Sequence, residues 1–346
     1  MSVTCYCNNE DGSSFGIIRV GSLTCYEVSG PGQISLRARI GAANIRYAAI
    51  SGSPLSLVVI TRDDDNVDNL YTEVLEIKGS QPVSTGTFSC KKEGVIGVQL
   101  MGTYLLICRT DTIEVYNLSN LRHYTSVHCH QTNVPVLACD HNSGHLIAFA
   151  DPKKSGIVNI LDLRTREVIR SFKAHNHSLV HLSFSPCGTQ LSSASSRGTL
   201  VRVHNLSNLQ VESLPSLSFR RGHVSAHVST VIIQPPFLCI ASDRETMHFF
   251  QLNSSSISSE VVDNEALSVD VSDGTRFPFY IRIPNSPAFA PRFVSISSFE
   301  QGNSDLLKQE VWICDHNATA RCYSIPSKYT KSPEAIKLQD INVVAL

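Results

Sequence analysis

The sequence has few of the features that mark membrane-spanning, secreted or disulfide-stabilised proteins. No stretch of its 346 residues approaches the ~20 consecutive apolar residues of a membrane-spanning helix. The first residues offer neither a basic segment nor an apolar core, so no secretory signal is expected. The eleven cysteines are spread along the chain without a Cys-x-x-Cys pair, whereas disulfide scaffolds are short and dense in cysteine. Free thiols, many of them buried in strands, and a cytoplasmic location are therefore expected.

Motifs that carry catalysis or hold a metal are also missing. The sequence contains no nucleophile elbow, no His-Glu-x-x-His, no Walker-type phosphate loop and no supported pair of carboxylates. The one candidate metal cluster is His128-Cys129-His130, whose residue types suit zinc. Alternation along a strand would place His128 and His130 on one face and Cys129 on the other. The protein is thus expected to be neither an enzyme nor a metal or cofactor protein.

A strong excess of charge of one sign is absent as well. The formal net charge is −1, and charged residues make up 17% of the chain against 42% for hydrophobic residues. This balance is typical of a folded globular protein rather than a disordered one. A protein that holds nucleic acid through bulk electrostatics is normally strongly basic, so no nucleic acid is expected as a partner. Any anion-binding site in this chain has to be a local cluster of basic residues.

What the sequence does contain is an alternation of apolar and polar residues along most of its length. Short apolar runs are broken by Gly, Ser, Asn and Asp, which is the pattern of many short strands joined by turns. Dividing the chain by seven gives about 49 residues per repeat, close to the ~40–50 of a propeller blade. We therefore predict an all-β fold, a seven-bladed β-propeller of the WD-repeat type, with residues 1–346 as a single domain. The Trp-Asp dipeptide of that repeat type is absent.

One insertion interrupts the repeats between residues 253 and 275. It exceeds the length of ordinary hairpin loops, and long loops inside compact domains are usually functional or disordered. The loop carries five acidic residues and no Lys or Arg. Its apolar residues would form a short amphipathic face if the segment became helical at a membrane, but its acids would be repelled by an anionic leaflet. Membrane insertion and a solvated, Ser-rich linker therefore both remain open.

The basic motif with the clearest chemical meaning is Phe219-Arg220-Arg221-Gly222. Neighbouring side chains of an extended strand point to opposite faces, so Arg220 and Arg221 cannot easily serve one site. They can serve two sites, one on either side of the strand. A guanidinium group presents a planar fork of donors that suits phosphate oxygens. The motif predicts two back-to-back anion sites, with a solvated basic turn as the alternative.

The sequence on both sides of this motif resembles the PROPPIN family, the β-propellers that bind polyphosphoinositides. The family signature is Phe-Arg-Arg-Gly, with one characteristic blade before it and another after it. The matching residues form four runs, 174–175, 188–191, 193–203 and 241–250. The four-residue motif alone is weakly specific, but the motif and both blades in register over residues 173–252 are strongly specific. The rest of the chain matches the family only in its repeating pattern of strands and turns, and not in specific motifs.

The resemblance implies two phosphoinositide-binding sites that flank the motif. The residues implied for site 1 are His175, Arg197, Thr199, Arg202 and Arg220, and those implied for site 2 are Arg221, Ser242, Thr246 and His248. Thr246 and His248 are two positions apart and share a strand face, whereas Thr199 and Arg202 require a turn or bulge at residues 198–199. His175 also has a structural alternative, because the histidine of an Ala-His pair in WD-type repeats usually ties turns together. Thr246 and His248 have the alternative of being ordinary outward-facing strand residues.

The same resemblance implies the biological role. It implies an adaptor that binds membranes carrying phosphatidylinositol 3-phosphate or phosphatidylinositol 3,5-bisphosphate and recruits partner proteins in autophagosome formation or in endosomal or vacuolar traffic. The protein would be cytoplasmic, monomeric in solution, and peripherally associated with autophagic, endosomal or vacuolar membranes. The corresponding loop of the family enters the bilayer, whereas the 253–275 loop of this chain is acidic. The alternative function is a WD-repeat scaffold that binds proteins without binding lipid.

Overall fold

The computed structural model describes the part of the chain in which the repeats can be followed. The described residues are 5–9, 12–30, 32–211, 214–235, 237–244, 246–252, 279–282, 293–301, 304–314, 319–325 and 336–342. Every regular element in these ranges is a β-strand, as the alternation predicts. The predicted insertion at 253–275 lies outside them. Within the described residues, no helix is long and apolar enough to cross a membrane.

The strands are short and follow one another closely along the chain. In chain order they are β1 (Cys5–Asn8), β2 (Ser14–Arg19), β3 (Ser22–Gly30), β4 (Gln33–Gly41), β5 (Ile45–Ser51), β6 (Leu57–Asp63), β7 (Asn69–Lys78), β8 (Gln81–Lys91), β9 (Val95–Met101), β10 (Tyr104–Arg109), β11 (Thr112–Asn117), β12 (Arg122–His128), β13 (Leu137–Asp140), β14 (Leu146–Ala150), β15 (Ile157–Asp162), β16 (Glu167–Lys173), β17 (Leu179–Phe184), β18 (Gln190–Ser195), β19 (Leu200–Asn205), β20 (Ser216–Arg220), β21 (Val228–Gln234), β22 (Phe237–Ser242), β23 (Thr246–Gln251), β24 (Phe279–Arg282), β25 (Phe293–Gln301), β26 (Ser304–Cys314), β27 (Thr319–Ile325) and β28 (Ile336–Asn342).

Each set of four consecutive strands forms one antiparallel sheet, from β1–β4 to β25–β28. Such a four-stranded meander is the blade of a β-propeller. Contacts divide the chain into two compact units. The first comprises Met1–Arg109, Ile113–Ser126 and Phe289–Leu346, and the second comprises Thr110–Thr112 and Val127–Ala288.

The all-β propeller class predicted from the sequence is confirmed, but the prediction of one seven-bladed domain needs a correction. The contacts separate two compact units, so the blades are described unit by unit. Sheets β1–β4, β5–β8, β9–β12 and β25–β28 belong to the first unit, and sheets β13–β16, β17–β20 and β21–β24 belong to the second. The repeat period could not reveal this division, because each repeat records its own alternation and not which neighbours it packs against.

In the second unit the apolar core lies between successive sheets. The pair Val201 and Phe219, from β19 and β20, packs with Val231 and Phe250 of the following sheet in one buried cluster. The Phe219 and Phe250 rings meet edge to face, with centroids 5.5 Å apart. Since one face of the β17–β20 sheet is used in this way, the polar residues that alternate with these apolar ones face the opposite side.

The described residues include most of the cysteines and the candidate metal cluster named from the sequence. All the cysteines whose side chains are described are free, and most of them are buried. At the end of β12, Cys129 is buried while His128 and His130 are exposed, which confirms the predicted alternation. No group of His, Cys, Asp or Glu in the described part of the chain is arranged to hold a metal ion.

Candidate functional site

The three sheets of the second unit bring five connecting segments to one end, which we call the Arg220 end. These segments are 151–156, 174–178, 196–199, 221–227 and 243–244. Main-chain hydrogen bonds join neighbouring segments, from Ala174 N to Gly156 O (2.8 Å), Ser196 N to Ser178 O (2.8 Å), Ala226 N to Arg197 O (3.4 Å) and Asp243 N to His227 O (3.0 Å). Every residue that the sequence implies for the two sites lies in these segments or at the adjoining strand ends.

Strand register separates the two arginines of the motif. Arg220 is the register partner of Leu200, two positions from the Arg202–Ser218 pair, and therefore shares a sheet face with Arg202. Arg221 follows the strand and is directed inward, with 5% of its surface exposed, whereas Arg220 is exposed. The divergence predicted from the sequence is confirmed. The two side chains differ in exposure, which the sequence did not indicate.

Arg221 is bound by the main chain. Its Nε donates to Gly198 O (2.6 Å) and its Nη2 donates to Val224 O (2.5 Å), so the guanidinium joins the 196–199 turn to the 221–227 link. Burial lowers the pKa of Arg221, and the Asp243 carboxylate opposes that shift. Because guanidinium pKa values lie so high, the group remains charged. This inward engagement departs from the expectation of a fork presented wholly to a ligand.

On the site 1 face, Arg202 is held by two acceptors. Its Nε donates to Ser218 Oγ (3.2 Å), and its Nη1 donates to the Ala174 carbonyl. Burial lowers the pKa of this half-buried guanidinium, which nevertheless stays charged for the same reason as Arg221. The arrangement fixes one cation next to the exposed Arg220 on the same face of the sheet.

His175 lies behind this face in a buried hydrogen-bonded chain. Its Nε2 lies 3.0 Å from Ser193 Oγ, and the same hydroxyl lies 2.9 Å from Nε2 of His204. Burial lowers the pKa of His175 to about 4 and that of His204 to about 3, so both rings are neutral near pH 7. His175 is 4% exposed. This geometry agrees with the structural alternative for His175, because its Nε2 is already engaged within the protein.

The turn before β19 contributes the remaining site 1 residues. Gly198 has a φ of +62°, and a Cβ at that position would lie 1.8 Å from the Ala226 carbonyl oxygen. The turn predicted at residues 198–199 is therefore confirmed. Thr199 is buried, and its carbonyl accepts from the Arg221 main-chain N–H (2.9 Å). Arg197 is exposed at the tip of the turn.

Apart from Arg221, the site 2 residues lie on one face of the β21–β24 sheet. Thr246 Oγ1 and His248 Nε2 are 3.2 Å apart, which confirms that these two side chains share a face. The pairing of Ala241 with Met247 places Ser242 across from Thr246. Since Phe250 on this face packs against Phe219, the face is directed towards the β17–β20 sheet. Ser242 itself is fully buried.

Sequence reasoning missed two residues of this region. Ser218 anchors Arg202, and period-two alternation would have found it, because it precedes Arg220 by two positions on the same face. Arg244 is exposed in the turn between Ser242 and Thr246, and its Nη2 donates to Ser225 O (3.1 Å). Its position in the sequence between the implied ligands Ser242 and Thr246 could have indicated that it belongs to the site.

The arrangement places positive charge on both sides of one propeller blade. Arg197, Arg202 and Arg220 lie on the side of site 1, and Arg221 and Arg244 lie on the side of site 2. Arginine forks with neighbouring hydroxyls are suited to phosphate oxygens. Fold and site together define a β-propeller with cationic side chains on both sides of one blade.

A family model confirms and narrows this class. The PROPPIN model matches residues 4–266, and the chain belongs to the PROPPIN family. It is 25% identical over 249 residues to Autophagy-related protein 18 of Dictyostelium discoideum, a match that covers 71% of this chain and 64% of that protein. It is 26% identical over 176 residues to the human WD repeat domain phosphoinositide-interacting protein 1, covering 48% of this chain and 38% of that protein. The matched regions thus span 64% and 38% of the lengths of these two relatives.

Solved structures share the fold. Kluyveromyces lactis Hsv2 superposes with a TM-score of 0.72 at 15% identity, covering 99% of this chain and all of that one. KlAtg21, in its complex with the coiled coil of AgAtg16, superposes with a TM-score of 0.71 at 16% identity, covering 99% of both chains. At this level of identity the likeness establishes the propeller fold alone.

Proposed function

We propose that this protein is a non-catalytic adaptor that binds phosphoinositides through two sites flanking Phe219-Arg220-Arg221-Gly222. Its ligands are membranes that carry phosphatidylinositol 3-phosphate or phosphatidylinositol 3,5-bisphosphate. It recruits partner proteins to these membranes in autophagosome formation or in endosomal or vacuolar traffic. The protein is cytoplasmic and associates peripherally with autophagic, endosomal or vacuolar membranes.

The observation that carries this proposal is the placement of the adjacent arginines. Arg220 shares a face with Arg202, while Arg221 lies near Asp243 and Arg244 of the next sheet. One short motif therefore supplies a cation to each side of the same blade. A single anion site would use only one of these sides, so two headgroups are the natural ligands of this arrangement.

The hydrogen bonds that Arg221 already makes within the protein refine its role in site 2. Two main-chain carbonyls already accept from its guanidinium, which leaves the exposed Arg244 as the cation that a phosphate group reaches first. Thr246 and His248 supply a hydroxyl and an imidazole on the same side. Arg221 then stabilises the 221–227 link and adds positive charge beneath the headgroup.

Partner recruitment rests on the relatives. KlAtg21 was solved in complex with the coiled coil of AgAtg16, and other relatives are named for autophagy or for phosphoinositide interaction. A propeller that binds both a lipid headgroup and a protein brings that protein to the membrane. We extend this role to the present chain as an adaptor.

Flotation with vesicles of defined inositide content tests the lipid part of the proposal. Wild-type protein is expected to float with vesicles that contain either inositide and to stay behind with phosphatidylcholine alone. Arg220→Thr should strongly weaken flotation, because it removes an exposed cation of site 1 and leaves only site 2, while Arg220→Lys should retain more of it. Flotation with none of the inositides would instead identify a protein-binding scaffold.

The double variant Arg220→Thr/Arg221→Thr needs a stability control. Arg221 joins two main-chain segments, so its loss destabilises the fold as well as site 2. Thermal unfolding of each variant, measured beside flotation, separates these effects. Weakened flotation with unchanged stability for Arg220→Thr supports a ligand role. If Arg220→Thr unfolds the protein, the residue is structural and site 1 is wrongly assigned.

A further inference from the structure

The 151–156 turn carries positive charge at the Arg220 end, outside both candidate sites. Lys153 and Lys154 are exposed at its tip, and neither forms a salt bridge within the described part of the chain. Lys173, at the end of β16, lies beside them and donates from Nζ to Ser155 O (2.7 Å). Site 1 and site 2 as implied by the sequence include none of these lysines.

The turn is held in a defined conformation. Asp151 Oδ1 accepts from the main-chain N–H groups of Lys153 (2.9 Å) and Lys154 (2.8 Å), while its Oδ2 accepts from Asn159 Nδ2 (3.0 Å). Both oxygens of the Asp151 carboxylate therefore accept from amide donors, and its charge also interacts with Lys154, although neither ammonium group forms a salt bridge in the described part of the chain. Such a turn presents its charge at a fixed place.

The turn is also packed directly against site 1. Gly156 has a φ of +73°, and a Cβ there would lie 1.8 Å from the His175 carbonyl oxygen. The Ser155 and Ser178 hydroxyl groups are 3.2 Å apart across the same contact. The lysines consequently stand on the same end of the second unit as Arg220, so a surface that reaches Arg220 also comes close to them.

We propose that the Lys153–Lys154 turn is a third membrane contact, which binds the anionic bilayer surface without recognising one particular headgroup. This inference rests on the proposed function, since it presumes that the Arg220 end faces a membrane. The chain as a whole carries a net charge of −1, so attraction to an anionic leaflet must come from such a local cluster. A lysine near an anionic surface changes affinity roughly fivefold, and the contribution decreases with added salt.

The test compares vesicles with and without phosphatidylserine, each at the same inositide content. For wild-type protein, phosphatidylserine is expected to raise vesicle affinity, and salt to reverse this rise. In Lys153→Gln/Lys154→Gln the rise should shrink roughly tenfold or more. Affinity for inositide vesicles without phosphatidylserine, and for a soluble short-chain inositide, should equal that of wild type. Lys153→Arg/Lys154→Arg, which keeps both charges, should behave as wild type.

A matched control removes two charges from the opposite end of the same sheet. Arg164 and Arg166 lie in the turn that follows β15 and are exposed. Arg164→Gln/Arg166→Gln should preserve the phosphatidylserine effect, with folding of each variant checked by thermal unfolding. An equal loss in this control would mean that net charge, rather than the Lys153–Lys154 turn, is responsible, and would overturn the inference.

Two further results would also overturn it, and they are distinct from failure of the proposed function. The inference is wrong if the lysine variant keeps the full phosphatidylserine effect. It is also wrong if that variant loses soluble inositide binding, because the lysines would then belong to a headgroup site. If wild-type protein binds no inositide vesicle at all, the proposed function itself fails, and the inference fails with it.

Discussion

Arg220 and Arg221 are neighbours in sequence but have different surroundings in the fold. Arg220 ends β20 and is exposed, whereas Arg221 is 5% exposed and donates to the carbonyls of Gly198 and Val224. Hydrogen bonds from charged groups contribute about 1.5–3 kcal/mol each to stability. Arg221 therefore has a structural role in addition to the proposed electrostatic one, whereas Arg220 is the more exposed of the two side chains.

At the same scale, the residue types of the sites were predictable and their engagement was not. Alternation correctly placed Arg220 and Arg202 on one face and Thr246 with His248 on another. The hydrogen bond between His175 and Ser193 joins residues 18 positions apart in the sequence. A local sequence pattern does not indicate such a contact.

The buried histidine chain predicts a pH dependence of stability. The pKa of His175 is lowered to about 4 in the folded state, against an unfolded value of about 6.5. Because the unfolded chain binds the proton more readily, protonation of His175 favours unfolding. The free energy of unfolding is therefore unaffected by this group above the unfolded pKa, and it decreases as the pH falls from there towards 4. His175→Gln abolishes this dependence. The stability advantage of wild type over His175→Gln should therefore shrink by about 2 kcal/mol between about pH 7.5 and pH 5.

Urea unfolding of both proteins at the two pH values measures this difference. The neighbouring His204 is retained in both proteins, so the effect of burial on its pKa, which is the main cause of its shift, is common to both. An advantage that stays constant across this range would show that His175 is not buried in its neutral form.

At the scale of elements, the inner strands were predicted far better than the outer ones. β10 and β15 are largely buried and read clearly as apolar runs. In contrast, β8 and β16 have mostly exposed or half-buried residues along their length. An outermost strand has one neighbour and abundant solvent, so its sequence is not required to alternate cleanly. The sequence pattern consequently predicts three strands of most blades and does not predict the fourth.

The 196–199 turn and the 221–227 link form one packed element between the two sites. Gly198 combines a φ of +62° with a Cβ position 1.8 Å from Ala226 O. Gly198→Ala should therefore destabilise the protein by about 2 kcal/mol or more, because alanine disfavours that backbone conformation and also displaces the link. Gly222 lies in the same link with open space at its Cβ position, so Gly222→Ala should cost less than about 1 kcal/mol.

Urea unfolding of both glycine variants gives the comparison. Equal destabilisation by the two substitutions would contradict the close contact between the turn and the link. A large effect of Gly198→Ala alone would support it.

At the scale of the whole molecule, the near-zero net charge has to be reconciled with membrane association. A net charge of −1 gives no general attraction to an anionic surface. Each proposed headgroup site is expected to be weak, since binding immobilises and desolvates a solvated headgroup. Two sites at one end of a single unit make the second engagement intramolecular, which raises affinity by about 10²–10⁴ over one site.

This reasoning predicts how the sites combine. Wild type should bind two soluble short-chain inositide molecules weakly, while its affinity for inositide vesicles should be about 10²–10⁴ higher. Arg220→Thr in site 1 and Thr246→Ala/His248→Ala in site 2 should each reduce the stoichiometry from two to one. Because either change leaves a single site, each should also lower vesicle affinity almost to that of the soluble ligand. Titration calorimetry provides the stoichiometry, and flotation over a range of inositide densities provides the vesicle affinity.

The density dependence distinguishes two sites from one most clearly. Bivalent binding rises with nearly the square of inositide density when headgroups are sparse, because two lipids must meet one protein, whereas a single site responds linearly. Wild type should follow the steeper curve and both variants the shallower one. If wild type binds one soluble inositide, or if either variant retains the steep curve, the two arginines do not serve separate headgroups. Membrane association would then have to depend on one site and on the surrounding basic charge.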